Sequence, residues 1–266
     1  MRRILVAGSA TIVLGASAAS HATTSALNSY RARLSVSPNA AGSAKAPVPI
    51  ALTENFKATG NNGNRTAPLT DIKAVLYGVA FNGKSFPTCT PRRIASANSD
   101  AGCPKGALVG TGAVTAVLAA EADTGSRSTS TVPCDPLLHV WNGGAGKLVF
   151  FFAERAPNHL CANGAITTGA IGPFTATVRT VGKKLVMNSR IPSYVSFPLA
   201  GVEASVTTES LHFLKVTKTV GGRRLAEIAA AGCQAGKRPY SITFTAEPAA
   251  GAVPQSDTVK GDDPCT

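Results

Sequence analysis

Near the C-terminus, Tyr240-Ser241-Ile242-Thr243-Phe244-Thr245 alternates apolar and polar side chains, and this period of two recurs along the chain. Successive side chains of a strand point to opposite faces, so the pattern buries one face of a sheet and solvates the other. Val48, Ile50, Leu52 and Phe56 alternate with Pro49, Ala51, Thr53 and Asn55. Phe174, Ala176 and Val178 alternate with Thr175, Thr177 and Arg179. Weaker patterns cover Arg33–Ser37, Asp71–Phe81, Leu108–Leu118, Leu137–Trp141, Leu148–Ala153, Leu185–Asn188, Leu211–Thr217 and Arg224–Ala229.

Turn chemistry falls between these segments. Asn142-Gly143-Gly144-Ala145-Gly146, Gly182-Lys183 and Gly221-Gly222 each separate two strand-like runs, as tight hairpins require. Leu225–Ala231 also suits a short helix, but helical periodicity is otherwise scarce. The expected fold is all-β: an antiparallel, disulfide-braced β-sandwich, Ig-like or jelly-roll-like, of roughly eleven strands. Leu148-Val149-Phe150-Phe151-Phe152 is apolar on both faces, which predicts a central strand covered on both sides.

Ahead of this pattern lies a different kind of segment. Met1-Arg2-Arg3 is basic, Ile4 to Ser20 is apolar and small, and Ser20-His21-Ala22 fits a small-x-small cleavage signal. These are the parts of a secretory signal peptide cleaved near Ala22. All six cysteines lie beyond it, so the mature protein is expected to be secreted to a setting where disulfides form. The expected organisation is a signal peptide over 1–22, a flexible lead-in over 23–30, one β-sandwich domain over 31–248 and a tail over 249–266 tied by Cys265.

A formal charge of +12 favours anionic partners. The basic residues are scattered, however, as in Arg92-Arg93, Lys183-Lys184, Arg223-Arg224 and Lys237-Arg238. With no long basic run and no RNA-binding aromatic motif, nucleic acid is not the expected partner. No apolar run of about 18 residues follows the signal, so no further membrane span is expected.

One block carries a resemblance. Gly78-Val79-Ala80-Phe81-Asn82 precedes Cys89, and Cys103-Pro104-Lys105-Gly106-Ala107-Leu108-Val109-Gly110-Thr111-Gly112 follows a loop. This resembles an uncharacterised family of secreted actinobacterial β-rich proteins, with a "GV-x-FN" strand, a cysteine, a loop and then "CPKG-x-x-VGTG". Cys233 and the strand from Tyr240 to Phe244 fit the same likeness. The resemblance implies an exported β-rich fold and brings no activity, ligand or catalytic residue. Six cysteines allow 15 connectivities. Nearest neighbours are the expected pairs: Cys89–Cys103, Cys134–Cys161 and Cys233–Cys265. A bridge closing the first loop would stabilise by about 3 kcal/mol on the loop-entropy model.

Catalytic signatures are scarce. Gly110-x-Gly112 lacks the third glycine of a dinucleotide loop, since Thr115 stands there, and reads as strand glycines. No G-x-S-x-G elbow is present. His139, His159 and His212 form no metal-ligand spacing, and Cys161 beside His159 is expected in a disulfide. Among 14 acidic residues, Glu154 with Glu203 or Glu209 are the candidates for a glycosidase pair. Asn64-Arg65-Thr66 is a glycosylation sequon that marks Asn61–Pro68 as an exposed loop.

The expected function is a secreted, non-catalytic binding or surface-associated structural module that needs no cofactor. Its candidate binding surface is Arg92, Arg93, Trp141, Tyr194 and Tyr240, although Trp141, flanked by Val140 and a hairpin turn, is better suited to a core. An anionic cell-envelope polymer or another extracellular protein is the expected partner. Two alternatives stand beside it: a glycosidase-like extracellular hydrolase, and a carrier of a small apolar ligand, which requires an interior cavity.

Overall fold

A computed structural model describes residues 27–121, 131–247 and 252–266. The expected signal peptide and cleavage site lie outside the described residues. In chain order the strands and helices are β1 (Asn28–Ser37), β2 (Val48–Pro49), β3 (Ala51–Gly60), β4 (Leu69–Tyr77), β5 (Val79–Phe81), α1 (Pro91–Ala97), β6 (Leu108–Ala120), β7 (Val132–Cys134), β8 (Leu137–Gly144) and β9 (Lys147–Ala153). They continue with β10 (Phe174–Val181), β11 (Lys184–Arg190), α2 (Ser193–Ser196), β12 (Val202–Phe213), β13 (Thr217–Val220), β14 (Arg223–Ala226), β15 (Ile228–Ala230), β16 (Lys237–Ala246) and β17 (Gln255–Pro264).

Eleven strands form one antiparallel path, β1-β3-β12-β6-β8-β9-β10-β11-β4-β16-β17, with β7 added beside β6. The three glycine turns join β8 to β9, β10 to β11 and β13 to β14. Leu225–Ala231 is extended, falling in β14 and β15. The all-β, antiparallel architecture is the one the alternation predicts. Its two faces belong to a single sheet that curves round on itself, so its halves meet across a shared interior rather than as two separate sheets.

The end strands β1 and β17 lie beside each other, which nearly closes a barrel. Side chains join that seam. Asp263 accepts from the Val36 backbone N–H, and the buried Arg238 lies 3.6 Å from Asp263 and donates to the Ala40 carbonyl. Leu27 N–H donates to Gln255 Oε1 at 3.2 Å. Tyr30 of β1 stacks on Phe244 of β16, with centroids 4.3 Å apart. Closure hides backbone edges that would otherwise pair with another chain. Residues 255–264, read from the sequence as a tail, are therefore a fully paired strand.

The three disulfides are the nearest-neighbour pairs, Cys89–Cys103, Cys134–Cys161 and Cys233–Cys265. They fit an oxidising setting. The first closes a lobe over the outer face of β8 and β9, where the sequence suggested only a loop. Thr90 caps α1 there by accepting from the Arg93 N–H, Pro91 fixes the first turn, and Ile94 is buried. Cys89, Ile94, Ala107, Trp141, Val149, Phe151 and Ala153 pack together beneath this lobe. On the opposite face of β9, Leu148, Phe150 and Phe152 enter the barrel. The phenylalanine run is thus a central strand covered on both sides, as its composition predicts.

Asp71–Phe81 is not one strand. Gly78, at φ +68°, breaks it into β4 and β5, and its backbone passes too close to Gly232 for a Cβ to fit. Gly112 is a strand glycine of the expected kind, since a Cβ there would strike the Ser210 carbonyl. Asn61–Pro68 is only partly the exposed loop expected: Thr66 to Pro68 are buried, because Arg65 draws the segment down onto Glu203. Among the described residues no helix is long and apolar enough to cross a membrane.

Candidate ligand-binding cavity

The barrel interior holds an apolar cavity of about 90 Å³. Phe56, Leu138, Phe150, Phe152, Ile166 and Phe174 supply much of its wall. A second cavity of about 40 Å³ lies beyond Glu54 and Met187, which line both. Two carboxyl groups, Glu54 and Glu209, face this space.

Strand geometry explains how they come to point inward. Leu52, Glu54, Phe56 and Ala58 are the buried face of β3, so Glu54 sits on the apolar side of its own alternation. On β12 the inward face would place Ala204 and Val206 inside and Glu209 outside. A bulge at Thr207, where Val206 pairs with Ala116 and Thr208 with Thr115, changes that parity. The Thr207 hydroxyl donates to the Thr115 carbonyl at 3.0 Å beside the bulge. Beyond it Glu209 and Leu211 line the cavity. Leu211 pairs with Glu54 and Glu209 with Phe56, which makes the two acids diagonal neighbours on one face.

Burial controls their chemistry. Glu54 is 2% exposed, and its Oε1 has no hydrogen-bond partner among the described residues. Glu209 is partly buried and lines the cavity. Desolvation pushes the Glu54 carboxyl up to about 7. Desolvation, reinforced by the charge of Glu54, pushes Glu209 up to about 8. Neither cavity lining contains Lys, Arg or His.

The three acids expected to form a glycosidase pair occupy three different settings. Glu154 is exposed after β9 and accepts from the Asn158 N–H at 3.1 Å. Glu203, six residues before Glu209 and on the far side of the bulge, meets Arg65 at 2.6 Å. Only Glu209 reaches the interior. Its neighbour Glu54 was legible as the one acid between Leu52 and Phe56 on an apolar face, a signal the alternation alone passes over.

The expected binding surface is not a single face. Arg92 and Arg93 are exposed on α1, but Trp141 is only 7% exposed beneath the lobe. Its Nε1–H donates to Asp100 Oδ2 at 3.0 Å, and His139 Nδ1 lies 2.6 Å from the same oxygen. Burial would raise the Asp100 carboxyl, yet the hydrogen bonds and charge of His139, with the Trp141 bond, hold it below its ordinary value. Tyr240 is half-buried and packs against the core. Tyr194, on α2, is exposed and donates to the Pro173 carbonyl at 3.0 Å. It lines an open cleft with Arg190, Pro192 and Phe197. Phe174 and Ile191 line both that cleft and the interior cavity, so they form the partition between them.

Among the described residues no group of His, Cys, Asp and Glu is arranged to hold a metal ion, and Cys161 beside His159 is bridged to Cys134. No family model, curated protein or solved structure matches the chain.

Proposed function

We propose that this is a secreted, non-catalytic binding protein that takes a small apolar molecule into the barrel interior. The observation that carries this reading is the apolar cavity of about 90 Å³ in the barrel interior. Such a void is far larger than the gaps of a close-packed core. An engineered apolar cavity of about 150 Å³ stays dry and binds benzene, so a slender chain or small ring is the matching size. The cleft beside α2 supplies a route, with Phe174 and Ile191 as the side chains that must move.

The export signal and the resemblance to secreted actinobacterial proteins support an extracellular site of action. A hydrolase has weaker support, because an apolar interior rejects a polar sugar and the expected acids are apart. Docking on an anionic polymer retains Arg92 and Arg93 but loses Trp141 to the core.

Titration of hexanol into the isotopically labelled, oxidised protein tests the reading. Saturable amide shifts along β6, β8, β9 and β12 are expected. Shifts confined to the outer surface, or none up to the solubility limit, would refute it.

A further inference from the structure

We infer that the interior ligand is a small apolar amine, held as its ammonium by the carboxylates of Glu54 and Glu209 with its hydrocarbon part in the cavity. This rests on the cavity being the binding site. Two other buried acids are met by arginine, Glu203 by Arg65 and Asp263 by Arg238. The pair in the barrel receives no base at all, since β3, β4, β6, β11 and β12 contribute no other titratable side chain to either lining. Glu227 is also buried without a hydrogen-bond partner for its carboxyl oxygens, but it lines neither cavity.

Two acids on an apolar wall, one with a buried and unpartnered oxygen, leave a cation as the charge complement. Opposite charge within a few ångströms favours the ionised carboxylate, and a dry site strengthens that attraction. A fatty acid would instead bring a third carboxylate beside the first two. A neutral alcohol could fill the cavity without engaging the charge. Glu54 stands between the two cavities, so an ammonium there directs an alkyl chain into the larger one.

Binding must displace a proton. Where the pair is protonated, an incoming ammonium ionises one carboxyl and its proton leaves to solvent, so affinity should rise with pH between 6 and 9. Calorimetry with hexylamine, hexanol and hexanoate, three probes of one chain length, tests the assignment. At pH 8 hexylamine should bind at least tenfold more tightly than hexanol, and hexanoate more weakly than either. Heats measured at pH 7 in two buffers of different ionisation enthalpy should show proton release on amine binding.

E54Q and E209Q should each weaken hexylamine binding, and the two together should bring it down to the affinity of hexanol while hexanol binding persists, which also reports an intact barrel. Equal affinities for hexylamine and hexanol in the wild type, tightest binding of hexanoate, or no proton release would overturn the amine assignment and leave the cavity reading standing. Failure of all three probes to bind would overturn both.

Discussion

Replacing Glu54 and Glu209 together by glutamine should raise stability relative to wild type by clearly more at pH 8 than at pH 5. In the unfolded chain both carboxyls ionise near 4.5, whereas burial holds them up to about 7 and about 8 in the fold. Well below pH 4.5 both states keep their protons and the pair costs nothing through ionisation. As pH rises past 4.5 the unfolded chain loses protons that the folded chain retains, and stability falls until the folded carboxyls themselves ionise. Glu54 alone, raised from 4.5 to about 7, accounts for roughly 3 kcal/mol at 1.36 kcal/mol per pKa unit. Glu209 adds a further loss in the same direction.

Glutamine keeps the shape and cannot ionise, so the variant lacks this slope. Any effect of burying two amides is the same at both pH values and cancels in the comparison. Urea denaturation of the oxidised proteins at pH 5 and pH 8 measures the difference. A double variant gaining roughly 3 kcal/mol or more on wild type between these pH values is the expected result. Parallel profiles would show that the carboxyls are not confined in an apolar interior.

Three further outcomes are expected. R65M removes the arginine that meets the buried Glu203 carboxylate at 2.6 Å and should cost about 3–5 kcal/mol, while R65M with E203L should recover most of it, as paired denaturation curves would show. D100A removes the acceptor of Trp141 and the partner of His139, and should cost about 1–3 kcal/mol at neutral pH. Because Asp100 is held below its ordinary value, that difference should shrink as acid titrates the wild-type carboxyl. Trp141 is the single tryptophan, so a red shift of emission in D100A would report the loosened lobe. M187A removes a shared wall of the two cavities, should cost about 2–5 kcal/mol, and should move the preferred alcohol from hexanol towards octanol.

The sequence exposes those parts of the fold where one face is buried. Tyr240 to Thr245 and Phe174 to Arg179 read as strands because packing demands their alternation. The strand at Gln255–Pro264 is polar on both faces, since it closes the seam at the outer edge of the path, and so leaves no period to read. Thr90-Pro91 carries a helix start, but a seven-residue helix has too few turns to show a 3.6-residue period. Sandwich and closed barrel share the same alternation, and only the approach of β1 to β17 separates them.

The cavity lay further from view. It needs Glu54 to be recognised as inward between Leu52 and Phe56. It also needs the bulge at Thr207, without which Glu203 and Glu209 would share one face of β12. Nothing in Val206-Thr207-Thr208 announces that change of parity. The cysteines were more legible, because each pair closes one local unit: the α1 lobe for Cys89–Cys103, and a single hairpin for each of the other two, β8–β9 and β16–β17.

A crystal of the protein equilibrated with 1-bromobutane gives the most direct view of the interior, since anomalous scattering locates bromine without ambiguity. A peak inside the barrel, among Leu138, Phe152 and Ile166, is the result predicted for a cavity that accepts an apolar guest. Bromine found only in the cleft around Tyr194 and Phe197, or nowhere ordered, would contradict an interior binding site.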